Sequence, residues 1–160
     1  MSSLLFLSHE DFDVSATAQG TALSSSISGL SVVLFYSTHC VYCQQLIPIF
    51  KNMPRVLSGC QFGMINVSVN KPILQKSKNT ITPIEYVPLI LMYLNGTPVM
   101  RYEGPHTKED LKTFIIDMSK ELQKQRTTSH SSGKKLPAYT LGEPLYGDDK
   151  RCYLEFHDAY

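Results

Sequence analysis

The sequence predicts an α/β protein, a mixed sheet flanked by helices with an irregular C-terminal tail. Three observations carry that reading. The run Ser31-Val-Val-Leu-Phe-Tyr36 is β-branched and apolar, as a strand buried on both faces must be. Directly after it, Val41 to about Leu57 sets Leu46, Ile47, Ile49, Phe50 and Met53 on a broad apolar helical face. Beyond that helix the chain alternates again, then closes with a hairpin and one long helix.

Taken in order, Leu4–Leu7 is expected to form an edge strand. Residues 14–30, rich in Ala, Ser, Thr and Gly, are expected to form a weak helix or loops. Pro48 lies inside the helix that starts at Val41, removes one of its hydrogen bonds and predicts a kink. Gln61–Val69 is a strand by composition, and Pro72–Lys78 a short helix. Leu89–Leu94 and Val99–Tyr102 flank Asn95-Gly96, a pair suited to the left-handed conformations of a tight hairpin. Thr107-Lys-Glu-Asp110 has the hydroxyl and carboxylate of a helix start, and Leu111, Phe114, Ile115, Met118 and Leu122 follow at helical spacing to about Gln123. The organisation is a domain over 1–125, a linker over 126–135 and a tail over 136–160. The linker is short and polar around Thr127–Gly133. The tail carries Tyr139, Leu145, Tyr146, Tyr153, Leu154, Phe156 and Tyr160, too many apolar rings for a solvated end, so it is expected to dock on its own domain or on a partner.

Composition narrows the function. A formal charge of +1 gives no electrostatic case for nucleic acid or an anionic membrane. No apolar stretch approaches the roughly 18 residues of a membrane span. Met1–Ser8 is short and soon followed by Glu10, Asp11 and Asp13, unlike a signal peptide, so a cytoplasmic location is expected. Four cysteines in such a chain point to chemistry rather than a disulfide framework.

The chemistry centres on Cys40-Val41-Tyr42-Cys43, at the junction of the buried strand and the helix. Two thiols at that spacing on a first helical turn can close a small disulfide. Unpaired N–H groups and the positive dipole end favour a thiolate at Cys40. The thiolate is the nucleophile of thiol–disulfide exchange. His39, next in the chain, could stabilise that thiolate or carry protons near neutral pH. Two cysteines are half of a zinc set; Cys60 and Cys152 are isolated from them, so no metal site is expected. Cys60 reads as a small core or edge residue. Cys152 reads as an inert thiol, with a mixed disulfide to Cys40 or to a partner as the alternative. His9, His106, His130 and His157 are scattered and expected to be solvated.

With these cysteines, and over roughly residues 1–125, the chain resembles the thioredoxin family. Pro48 falls where thioredoxins kink their active-site helix. Tyr86-Val87-Pro88 before Leu89–Tyr93 matches the cis-proline that enters a central strand. Asn95-Gly96 and Gly104 match the hairpin and strand-end glycines. The resemblance implies that Cys40 is the exposed nucleophile and Cys43 the buried resolving thiol. It also implies that Val87, Pro88, Tyr42 and Tyr36 border the substrate, and that no organic cofactor is needed beyond a redox-active Cys40–Cys43 disulfide. The implied partners are protein disulfides and an electron donor or acceptor. Two departures stand out: His39 replaces the family's tryptophan, and Leu34 replaces the buried carboxylate usually found six residues before the first cysteine. The lysine that often accompanies that carboxylate falls at about Met64. Tyr42 is similar to the tyrosine of the glutaredoxin motif, but the hairpin and Gly104 favour thioredoxin.

Two functions follow. One is a protein thiol–disulfide oxidoreductase using Cys40 and Cys43. The other is a non-catalytic docking or assembly protein that keeps the fold and uses its tail. The ending Cys152-Tyr-Leu-Glu-Phe156 is similar to tails on thioredoxin-like proteins of large DNA viruses, which implies a virion-associated setting for that second reading.

Overall fold

The computed structural model describes residues 4–17, 20–124, 138–139 and 152–153. The predicted linker and most of the predicted tail lie outside these residues.

The central sheet is built from the most apolar segments. Strands β1 (Leu4–Leu7), β4 (Leu30–Tyr36), β5 (Gln61–Asn66), β7 (Leu89–Leu94), β8 (Thr97–Tyr102) and β9 (Ala138–Tyr139) stand in the order β1-β5-β4-β7-β8-β9. The β1–β5, β5–β4 and β8–β9 pairs are parallel, and β4–β7 and β7–β8 antiparallel. Register alternates side chains between two cores. Val33, Phe35, Leu91 and Tyr93 face one. Val32, Leu34, Phe62, Met64, Ile90 and Met92 face the other.

Helices α1 (Val41–Val56) and α3 (Lys108–Lys124) cover the second face, contributing Leu46, Phe50 and Met53 from one and Leu111, Phe114, Ile115 and Met118 from the other. Helix α1 carries both Pro48 and Pro54 in its interior. The Thr107 hydroxyl accepts the Asp110 N–H at 3.1 Å and donates to the Asp110 carboxylate at 2.7 Å, capping α3 as its sequence predicts. Helix α2 (Pro72–Ser77) packs Ile73 and Leu74 into the first core.

The structure corrects the reading of residues 14–30. Residues 14–17 and 20–25 are strand rather than weak helix or loop, and 26–29 are a loop. Strands β2 (Phe12–Thr17) and β3 (Gly20–Ser25) pair antiparallel from Phe12–Ser25 to Thr17–Gly20. Phe12 and Leu23 are buried on one face of this hairpin, and Ala22 on the other. Val14, on the face of Phe12 and Leu23, is exposed, and the Ser15 and Ser24 hydroxyls pair on the face of Ala22. Without regular apolar alternation on both strands, local composition gave no strand signal. The hairpin is anchored by its neighbours. The Ile81 N–H donates to the Thr21 carbonyl at 2.8 Å, and the buried Tyr93 hydroxyl to the Leu23 carbonyl at 2.9 Å.

The Gln61–Val69 strand ends earlier than expected, at Asn66, where the chain turns toward α2. The β7–β8 turn has Asn95 at φ 51° and Gly96 at φ 86°, both left-handed as the pair predicts. Two short segments of the tail region lie on the domain itself. Ala138–Tyr139 extends the sheet along β8, and β10 (Cys152–Tyr153) pairs antiparallel with β6 (Tyr86–Val87).

Candidate active site

The site forms where β4 ends and α1 begins. After Tyr36 the chain leaves the sheet through Ser37, Thr38 and His39, and Cys40 is the extended residue that caps α1. Its carbonyl accepts the first helical N–H, from Gln44, at 3.1 Å. Gln44 also reaches back through Nε2 to the Thr38 carbonyl at 2.8 Å, fixing the approach to the helix. The Ser37 hydroxyl accepts the His39 N–H at 3.1 Å. Cys40 and Cys43 therefore sit on the first turn, where the helix dipole favours negative charge.

The two sulfurs have different surroundings. Cys43 is fully buried, and its Sγ receives the Ser37 N–H at 3.5 Å. Burial pushes the Cys43 thiol up to about 11, opposed by that N–H. Burial also raises the Tyr36 phenol above its ordinary value, and the nearby Cys43 adds to the rise. The Cys40 Sγ lies 3.8 Å from the Val87 carbonyl oxygen, and the Val87–Pro88 peptide is cis. Val87 and Pro88 are buried, Tyr36 and Tyr42 are half-buried against the first core, and His39 is exposed.

The arrangement brings Cys40, Cys43 and Val87-Pro88 together, and places His39 beside them in the chain but on the surface. It differs from the sequence-based picture in one respect. Cys40 was expected to be the exposed thiol, yet it is only 2% exposed, although His39 and Val41 on either side are open to solvent. Its sulfur faces the Val87 backbone, along which β10 also lies. Cys40 is disulfide-bonded, whereas Cys43 and Cys60 are free thiols. Cys43 is held inside the core with the Ser37 N–H on its sulfur, while the Cys40 sulfur lies against Val87.

Cys60 is buried beside β5, and burial alone pushes its thiol up to about 11, which suits a packing residue. His9 and His106 are half-buried rather than solvated; His130 and His157 lie outside the described residues. Among the described residues no three His, Cys, Asp or Glu side chains cluster as metal ligands would. The role of Ser37, as donor to Cys43 and acceptor for His39, had no signal in the sequence. Leu34, at the position of the family's carboxylate, is packed in the second core.

The pattern of the thioredoxin family matches residues 13–117, and the chain belongs to that family. Two uncharacterized proteins of large DNA viruses are similar along nearly the whole chain. Protein 196R of Invertebrate iridescent virus 6 is 33% identical over 100% of this chain and 95% of its own. Protein 020R of Invertebrate iridescent virus 3 is 36% identical over 98% and 96%. Protein disulfide isomerase-like 5-1 of Oryza sativa subsp. japonica is 27% identical over 53% of this chain and 56% of its own. Among solved structures, human ERp44 superposes with a TM-score of 0.55 at 20% identity, over 73% of this chain and 29% of that one, a likeness of fold. Among the described residues, no helix is long and apolar enough to cross a membrane.

Proposed function

We propose that the protein is a thiol–disulfide oxidoreductase acting on protein disulfides through Cys40 and Cys43. The observation that carries this reading is the placement of both cysteines on the first turn of α1, with the Cys40 sulfur 3.8 Å from the Val87 carbonyl just before Pro88. The Cys40 thiolate attacks one sulfur of a substrate disulfide, and the other sulfur leaves as a thiolate that takes up a proton. Cys43, deprotonated, then attacks the Cys40 sulfur. The second substrate thiol leaves, and Cys40 and Cys43 are left as a disulfide. Two electrons and two protons have passed to the substrate. The reverse sequence oxidises it. Val87 and Pro88 line the reacting sulfur, and Tyr36 and Tyr42 border it. His39 lies at the solvent side, suited to exchange protons. No organic cofactor is called for; the partners are protein disulfides and a reductant or oxidant.

The test is equilibration in glutathione buffers with rapid thiol trapping, using Cys40→Ser as the control. A reversible two-electron couple between about −270 and −120 mV, with turnover of a protein disulfide abolished by Cys40→Ser, supports the reading. A Cys40–Cys43 pair that oxidises neither in the wild type nor in Cys152→Ser overturns it. Leu34 and the burial of Cys40 favour a second reading, a docking protein that retains the fold; such a protein shows neither the couple nor the turnover.

A further inference from the structure

We infer that Cys152 is the disulfide partner of Cys40, and that β10, which carries it, is a redox-released cover of the site. Four cysteines are present in the chain. Cys40 is disulfide-bonded, and Cys43 and Cys60 carry free thiols. In one polypeptide that leaves Cys152. The backbone brings it to the right place independently of that elimination. Strand β10 pairs antiparallel with β6, and in that register Cys152 stands opposite Val87. Directly opposed residues of such a pair have their Cα atoms about 5 Å apart. Val87 is also the residue whose carbonyl lies 3.8 Å from the Cys40 sulfur. The same strand edge therefore carries Cys152 on one side and the reacting sulfur beside it. The 2% exposure of Cys40, between open neighbours, is the burial expected when that edge is occupied.

This regulation rests on the proposed reactivity of Cys40, but it adds a third cysteine. The bond forms by interchange. The Cys152 thiolate attacks the Cys40 sulfur of a Cys40–Cys43 disulfide, which a substrate disulfide has supplied by exchange. The Cys40–Cys43 bond breaks, Cys43 leaves as a thiolate and takes up a proton, and the oxidation state of the chain is unchanged. Release runs the other way through Cys43, or through an external thiol that reduces the bond and frees both Cys40 and Cys152. The buried, protonated Cys43 is a poor attacking group near neutral pH, so the closed form is kinetically persistent and an external thiol is the faster route to release.

The experiment uses the full chain, equilibrated with glutathione disulfide and glutathione, acid-quenched, alkylated and mapped by non-reducing mass spectrometry. The expected product is a peptide linking Cys40 to Cys152, with Cys43 and Cys60 alkylated only after unfolding. It forms equally in Cys43→Ser, where no Cys40–Cys43 disulfide can compete; there glutathione disulfide supplies the bond through a mixed disulfide at Cys40. In Cys152→Ser, after the same equilibration and brief reduction, native-state alkylation of Cys40 speeds up at least about tenfold over the oxidised wild type. Oxidised wild-type protein with Cys152 freely alkylated, or Cys43→Ser with no Cys40–Cys152 link, overturns the inference. The two proposals fail separately. A Cys40–Cys152 link without turnover of a protein disulfide by reduced Cys152→Ser supports the cover and overturns the enzyme. Turnover with Cys152 unlinked overturns the cover and leaves the enzyme standing.

Discussion

The resolving step should be slow and steeply pH-dependent, because Cys43 is pushed up to about 11 by burial. At about pH 7 such a thiol is ionised in about one molecule in 10⁴, against about one in 10² for a thiol near its ordinary value of 9. The structure therefore sets a roughly hundredfold deficit in the attacking thiolate. It can be read directly by loading Cys40 of the Cys152→Ser variant with thionitrobenzoate and following release of the coloured thiol as Cys43 attacks. The low-pKa leaving group keeps departure fast, so the rate follows the Cys43 thiolate fraction. The logarithm of the first-order rate should rise by about one for each pH unit from about 6.5 to 9.5, with no plateau. Cys43→Ser should abolish the release. A rate that levels off at or below about pH 8 would refute the reasoning, because it would mean that Cys43 ionises there despite its burial.

Three further outcomes concern the fold. Tyr93→Phe removes the buried hydroxyl that donates to the Leu23 carbonyl and leaves that carbonyl unpaired, so urea unfolding should show a loss of about 1–2 kcal/mol; a change within a few tenths would contradict the bond. Gly96→Ala forces a side chain into φ 86° and sets a Cβ 2.5 Å from the Ser25 carbonyl oxygen, so a loss of about 2–3 kcal/mol is expected from the same measurement, and a neutral result would exclude this turn. Cys43 and Cys60 are both raised to about 11 in the fold, so their contribution is fully present below their ordinary value near 9 and is lost as pH rises through about 11. The urea midpoint should fall across that window, and Cys60→Ala should flatten the fall; an unchanged slope in the variant would show that Cys60 does not titrate there.

What the sequence made legible was whatever local pattern or fixed spacing determines. The run at Val32–Phe35 is apolar because both faces of β4 are covered, and Asn95-Gly96 marks a turn because each residue must be left-handed. The Thr107 cap and the α3 stripe were visible for the same reason. The β2–β3 hairpin was not, since its strands owe their conformation to Phe12 and Leu23 packing on Phe35 and Tyr93 rather than to their own composition. At the site, the residue types and spacing of Cys40, Cys43 and Pro88 could be read. The burial of Cys40 could not, because it depends on contacts across the fold rather than on its neighbours in the chain, and the Ser37 N–H on Cys43 is a backbone contact that any residue could have supplied.

Leu34 ties these observations to the chemistry. Thioredoxins usually place a carboxylate at this point, where it can take the proton of the buried cysteine. Here Leu34 is fully buried in the core that also holds Leu46 and Phe50, so packing has replaced a proton acceptor. An Asp at the same position would gain that acceptor at the cost of an uncompensated carboxylate among apolar side chains. With Leu34 in place and burial acting on the thiol, Cys43 is held protonated, and in the exchange proposed above its resolving step would be slow. Any disulfide made at Cys40 then outlives the one in a chain with a ready base, whether its partner is a client protein or Cys152. Durability at Cys40 is thus a consequence of the core around Cys43, and Val87, which lies against the Cys40 sulfur and pairs with β10, is where a long-lived partner would be held.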